Sequence, residues 1–158
     1  MAIVHARIDE RLIHGQVAMV WTNTVGATRV LVVNDEVIHD DMQLSVLKMA
    51  KPAGVKLSIL SKEKAVTKIK DGAYDGDRVF LITRNVKDMV YLVENGVVDS
   101  FNIGNVAKQD GAIVVKKSVA LTEDDINTLK RLVSDGHKIT AQMIPTEPDC
   151  SVLEYLPK

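Results

Sequence analysis

Arg29-Val30-Leu31-Val32-Val33-Asn34 is a short run of β-branched and aliphatic residues that ends in a polar turn, and Asp40 to Ala50 then follows with helical period. The same alternation recurs along the chain. Strands are expected at Ala2 to Ile8, Arg29 to Asn34, Lys56 to Leu60, Arg78 to Thr83, Ser100 to Ile103 and Lys138 to Met143. Helices are expected at Gly15 to Thr24, Asp40 to Ala50, Ser61 to Lys70, Asn85 to Asn95 and Thr122 to Asp135. Ser61, Asn85 and Thr122 are candidate N-caps, and Gly72, Gly96 and Gly136 stand where a left-handed residue would stop a helix. Strands read as near-continuous apolar runs when both their faces are buried, as in parallel sheets. The pattern therefore predicts an α/β fold: an open, mostly parallel, doubly wound sheet with helices on both faces. Gly104 to Leu121 breaks the alternation and is expected to form a small hairpin or irregular excursion.

The chain has 158 residues, 46% of them hydrophobic, which suits a single domain spanning 1–158. Lys and Arg number 20 against 21 Asp and Glu, so no global field favours nucleic acid or an anionic membrane. The apolar runs are far shorter than the roughly 20 residues a membrane helix needs. The N-terminal stretch runs straight into a strand without a signal-peptide core, and the one cysteine, Cys150, can form no internal disulfide. A cytoplasmic location is expected.

In such sheets ligands bind at the carboxyl ends of strands. The first such end carries the densest polar cluster, Arg7-Ile8-Asp9-Glu10-Arg11-Leu12-Ile13-His14-Gly15-Gln16-Val17, directly before a helix. A helix N-terminus offers unpaired N–H groups and partial positive charge, suited to an anion such as a phosphoryl group. Arg7 and Arg11 add planar charged donors that match phosphate oxygens. His14 supplies a nucleophile whose neutral form is accessible near physiological pH. Asp9 could either accept a hydrogen bond from its second ring nitrogen or orient Arg11. Two other readings stay open: a solvated set of surface ion pairs, and a loop that binds a phosphorylated partner without itself being phosphorylated. Asp35 and Arg84, after the second and fourth strands, are secondary candidates for the same crevice. His5 reads as a strand-face residue, and His39-Asp40-Asp41 is too short and generic for a metal site. No Gly-rich phosphate cradle follows any strand, so no nucleotide is expected as cofactor, and without His or carboxylate ligands at readable spacing no metal is expected either.

The stretch from Arg7 to Val17 resembles the signature of the IIB components of mannose/fructose/sorbose-family phosphotransferase systems. The resemblance runs on through Trp21, Val33-Asn34-Asp35, Ala50-Lys51-Pro52, Asn102-Ile103-Gly104-Asn105 and Met143-Ile144-Pro145, nearly the whole chain. It implies a protein-phosphohistidine–sugar phosphotransferase in which His14 is phosphorylated at Nδ1, Arg7 and Arg11 bind the phosphoryl group, and Asp9 and Gln16 neighbour it. It implies as partners a phosphorylated IIA protein or domain, the membrane components IIC and IID with which the chain associates peripherally, and a sugar taken up through them. Mannose, fructose, sorbose and N-acetylated hexosamines all suit that description. Leu12, Ile13 and Val17 could form an apolar surround that a docking partner would cover or could equally be core, with a core role favoured for Val17.

Overall fold

In the computed structural model, which describes residues 3–157, the apolar runs form strands β1 (Ile3–Asp9), β2 (Arg29–Val33), β3 (Lys56–Leu60), β4 (Val79–Thr83), β5 (Phe101–Asn105), β6 (Ile113–Lys116), β7 (Val119–Leu121) and β8 (Ile139–Thr140). Between them lie helices α1 (Gly15–Val25), α2 (Asp41–Ala50), α3 (Lys62–Lys70), α4 (Val86–Glu94) and α5 (Glu123–Ser134). The main sheet has the order β3-β2-β4-β1-β5-β8 with every pairing parallel. Strands β6 and β7 form a separate antiparallel hairpin in the Gly104–Leu121 excursion. The first expected residue of β1, Ala2, lies outside the described residues.

Strand periodicity divides the core in two. Val30, Val32, Phe80 and Ile82 point to one face, where they pack with Ala18 and Trp21 of α1 and Leu47 of α2. Leu31, Val33, Val79 and Leu81 point to the other, toward Ala65 of α3, Met89 and Leu92 of α4, and Leu129 of α5. Val30, Val32, Leu31 and Phe80 are completely buried, and each such side chain contributes roughly 1.5–3 kcal/mol of transfer free energy. Both faces being covered is what makes the strands unbroken apolar runs.

Local chemistry sets the boundaries. Ser61 Oγ, Asn85 Oδ1 and Thr122 Oγ1 accept backbone N–H groups of Lys64, Asp88 and Asp125, and Asp125 returns a bond to Thr122 N. Gly72, Gly96 and Gly136 take the positive φ that ends a helix. Asp40 caps α2 instead of opening it, behind a one-turn 3-10 helix, Val37–His39, that the sequence pattern misses. That turn forms because Asn34 Oδ1 accepts Glu36 N and Val37 N. The last strand is only Ile139–Thr140 where Lys138 to Met143 was expected, because the backbone beyond it turns to serve β1.

Candidate active site

Strand β1 sits between β4 and β5, so its carboxyl end opens onto the middle of the sheet. Asp9 is its last residue. Glu10 then stitches the loop to the end of β5: its N–H donates to Asn105 O at 2.9 Å and its Oε2 accepts Ala107 N at 3.1 Å. Leu12 N reaches back to Asp9 O, closing a tight turn in which Leu12 takes φ 60°, a left-handed conformation costly for a branched side chain. Leu12 and Ile13 are buried in the α1-side core, and that burial holds the turn. Of the two roles open to them from sequence, partner-covered surround or core, the structure gives Leu12 and Ile13 the core; Val17 is half-buried against the same core, as expected.

The turn leaves His14 exposed as the N-cap of α1, with extended backbone (φ −131°, ψ 97°) and no capping hydrogen bond from its side chain. The first turn of α1 carries no acidic residue. The start of the helix thus keeps its donors and its positive end for an external anion. Gly15, with φ 43°, lets the chain enter the helix immediately after His14.

Arg11 is clasped by Asp9. Its backbone N and Nε donate to Asp9 Oδ1 at 3.0 and 3.1 Å, and Nη2 donates to Oδ2 at 3.1 Å. Nη1 is left pointing at His14 Nδ1, 3.3 Å away. A guanidinium can only donate, so Nδ1 is the acceptor and the ring proton of neutral His14 belongs on Nε2. Of the two roles open to Asp9, the structure shows the orienting of Arg11.

Arg7 lies beneath this pair, not beside it. It is 1% exposed, and Nη1 donates to Gln142 O at 2.7 Å while Nη2 donates to Met143 O at 3.0 Å and, at 3.4 Å, to Asp9. Burial pulls its pKa down to about 10, with Asp9 opposing the fall. Its guanidinium also lies 5.2 Å from the Trp21 ring centroid, and the Trp21 indole N–H shares the Met143 carbonyl at 3.0 Å. The approach requires Gly104: a Cβ there would fall on the Arg7 guanidinium. Asn102 completes the floor, donating to Gln142 O and accepting from Gln142 N and Thr140 Oγ1. Main-chain carbonyls of Gln142 and Met143 leave no mark in sequence, so their part in the site was not foreseen.

The remaining candidates fall elsewhere. Gln16 is exposed in the first turn of α1. Arg84 braces the loop from outside, donating to Glu10 O and to Gln43 Oε1 of α2. Asp35 accepts from Lys62 N and pairs with Lys62 Nζ at the start of α3.

The family model of the phosphotransferase-system sorbose-subfamily IIB component matches residues 3–158. The chain belongs to this IIB family. It is 35% identical over 157 residues to the sorbose-specific EIIB component of Klebsiella pneumoniae, covering 99% of this chain and 96% of that protein. It is 33% identical to the fructose-specific EIIB component of Bacillus subtilis, covering 99% and 96%. Against the mannose-specific EIIAB component of Escherichia coli K12 it is 35% identical, covering the whole of this chain and 49% of that longer protein. The crystal structure of the IIB domain of the K. pneumoniae sorbose permease superposes with a TM-score of 0.92 at 35% identity, covering 98% of this chain and 96% of that one.

Two further features of this IIB chain bear on its chemistry. Cys150 lies in the tail, where a hydrogen bond from its thiol to Glu154, burial and nearby carboxylates push its pKa up, away from the reactive thiolate. Among the described residues no group of His, Cys, Asp and Glu could hold a metal ion, and no helix is long and apolar enough to cross a membrane.

Proposed function

We propose that this IIB component, residues 1–158 acting as one unit, is a phosphoryl carrier: it accepts a phosphoryl group on His14 from phosphorylated IIA and passes it to a sugar of the mannose, fructose, sorbose or amino-sugar class. The sugar would be met at a membrane assembly of IIC and IID, with the chain associating peripherally from the cytoplasmic side. The observation that carries the reading is the exposed His14 Nδ1 facing Arg11 Nη1 at the uncapped start of α1. The relative named as an EIIAB component supports IIA as the donor.

In this mechanism Nδ1 attacks phosphorus in line as the bond from phosphorus to the donor's ring nitrogen breaks, its electron pair staying with the donor. Arg11 Nη1 releases the Nδ1 lone pair and takes a phosphoryl oxygen, while the N–H groups at the start of α1 take others. Asp9 holds Arg11 through this exchange, and Arg7 acts from below as a support for Asp9. Incubation with phosphorylated IIA of the same system should give one acid-labile, alkali-stable phosphate on the chain, absent in His14→Ala. Labelling of His14→Ala, or no label on the unsubstituted chain, would sink the assignment; the second outcome would favour a module that binds phosphorylated partners without taking the group.

A further inference from the structure

The Arg7 support is itself held by a turn far along the chain. Glu147 Oε2 accepts Met143 N at 3.0 Å and Ile144 N at 3.1 Å, and Gln142 Nε2 returns a bond to Glu147 O at 2.8 Å. These bonds close residues 142–147 into a ring whose outward carbonyls, Gln142 O and Met143 O, are the acceptors of Arg7. The other carboxylate oxygen of Glu147 takes Lys116 Nζ of β6 at 2.9 Å, and the same ammonium donates to Ala141 O at 2.8 Å. Burial alone would raise the Glu147 pKa, but Lys116 and the two N–H groups hold it below the ordinary glutamate range.

The charge arrangement gives this turn its consequence. Two guanidiniums, Arg7 and Arg11, share one carboxylate, Asp9, and Arg11 has the better share: two bonds of 3.1 Å against one of 3.4 Å for Arg7. That division lasts while the two carbonyls engage Arg7. Were the Met143 carbonyl to swing away, the buried Arg7 would have to draw on Asp9 instead, at the expense of the Arg11 clasp and of the Nη1 that faces His14.

We propose that Glu147 is a positioning residue for phosphoryl transfer: it fixes the Met143 carbonyl on Arg7, so that Asp9 is kept for Arg11. The inference rests on the phosphoryl-carrier reading, and two measurements on the full chain test it through Glu147→Gln. Trp21, the single tryptophan, donates its indole N–H to the same Met143 carbonyl and reports the turn without any partner. Its indole ¹H–¹⁵N signal should move and its exchange with solvent should quicken about tenfold, while far-ultraviolet circular dichroism stays unchanged. With phosphorylated IIA as donor, the maximum rate of His14 labelling should fall about tenfold, with the KM for the donor constant within about twofold. A merely structural Glu147 would lower stability without that split. If Glu147→Gln does not fold, Glu147→Asp, which keeps the charge on a shorter stem, is taken through the same two readouts. An unmoved indole signal, an unchanged rate, or a loss carried by KM alone overturns the inference while leaving His14 labelling intact. No label on the unsubstituted chain overturns the carrier reading, and this inference with it.

Discussion

Replacing Gly104 by alanine puts a methyl group where the Arg7 guanidinium lies. Gly104 has no positive φ, so on backbone grounds alone the change should stabilise β5 by roughly 0.5–1 kcal/mol. The collision reverses the sign. Arg7 cannot step aside, because it is enclosed and bonded to Gln142 O, Met143 O and Asp9. Overpacking of this kind costs roughly 1–3 kcal/mol, and weakening two of those charge-assisted bonds inside the protein adds roughly 1 kcal/mol each. The net expectation is a loss of about 3 kcal/mol, a large share of the 5–15 kcal/mol typical of a domain. Urea unfolding of Gly104→Ala measures it, with Gly76→Ala as the control. Gly76 has open space where the methyl would go and no positive φ, so its substitution should change stability by less than about 0.5 kcal/mol. A loss below about 1 kcal/mol for Gly104→Ala would show that Arg7 is not held as described.

Arg11→Lys keeps the charge but loses the fork that engages both Asp9 oxygens and His14; transfer from phosphorylated IIA should slow by about 100-fold with little change in unfolding midpoint, and an unchanged rate would remove Arg11 from the mechanism. His5, stacked on Trp21 at 4.3 Å, has its pKa lowered by burial, and then by Arg7, from 6.5 to about 4. The unfolded chain therefore binds more protons between those values, so this contribution is complete above pH 6.5, lost as pH falls toward 4, and worth at most about 3 kcal/mol. Unfolding free energies at several pH values in this window should show the slope, and His5→Phe should flatten it; an equal slope in both proteins would refute the assignment.

The alternation of strands and helices was readable because it is written locally. Ser61, Asn85 and Thr122 cap by bonding their own helices, and Gly72, Gly96 and Gly136 end helices by their own φ. His14 and Arg11 were readable for the same reason, lying three residues apart in one loop. Arg7 was not. Its charge reads as a surface ligand, and only carbonyls 135 and 136 residues away, together with the bare Cα of Gly104, make a buried guanidinium possible there. The overlong last strand is the same omission seen from the other end: residues 142 and 143 look like strand, but their carbonyls are committed to β1. Leu12 and Ile13 flank an exposed histidine in sequence and still turn inward, because the left-handed turn at Leu12 reverses the direction of the chain.

If His14 carries the phosphoryl group as proposed, the missing cap on α1 has a consequence for how partners would tell the loaded and unloaded forms apart. A helix whose N-cap histidine makes no side-chain cap bond keeps free N–H groups in its first turn. A phosphoryl group on Nδ1 would supply the acceptors that the first turn lacks, tightening residues 14–18 as it adds charge. The donor would then leave behind a stiffer protein than it met, and the next partner could recognise the loaded form by the order of that turn as well as by its charge.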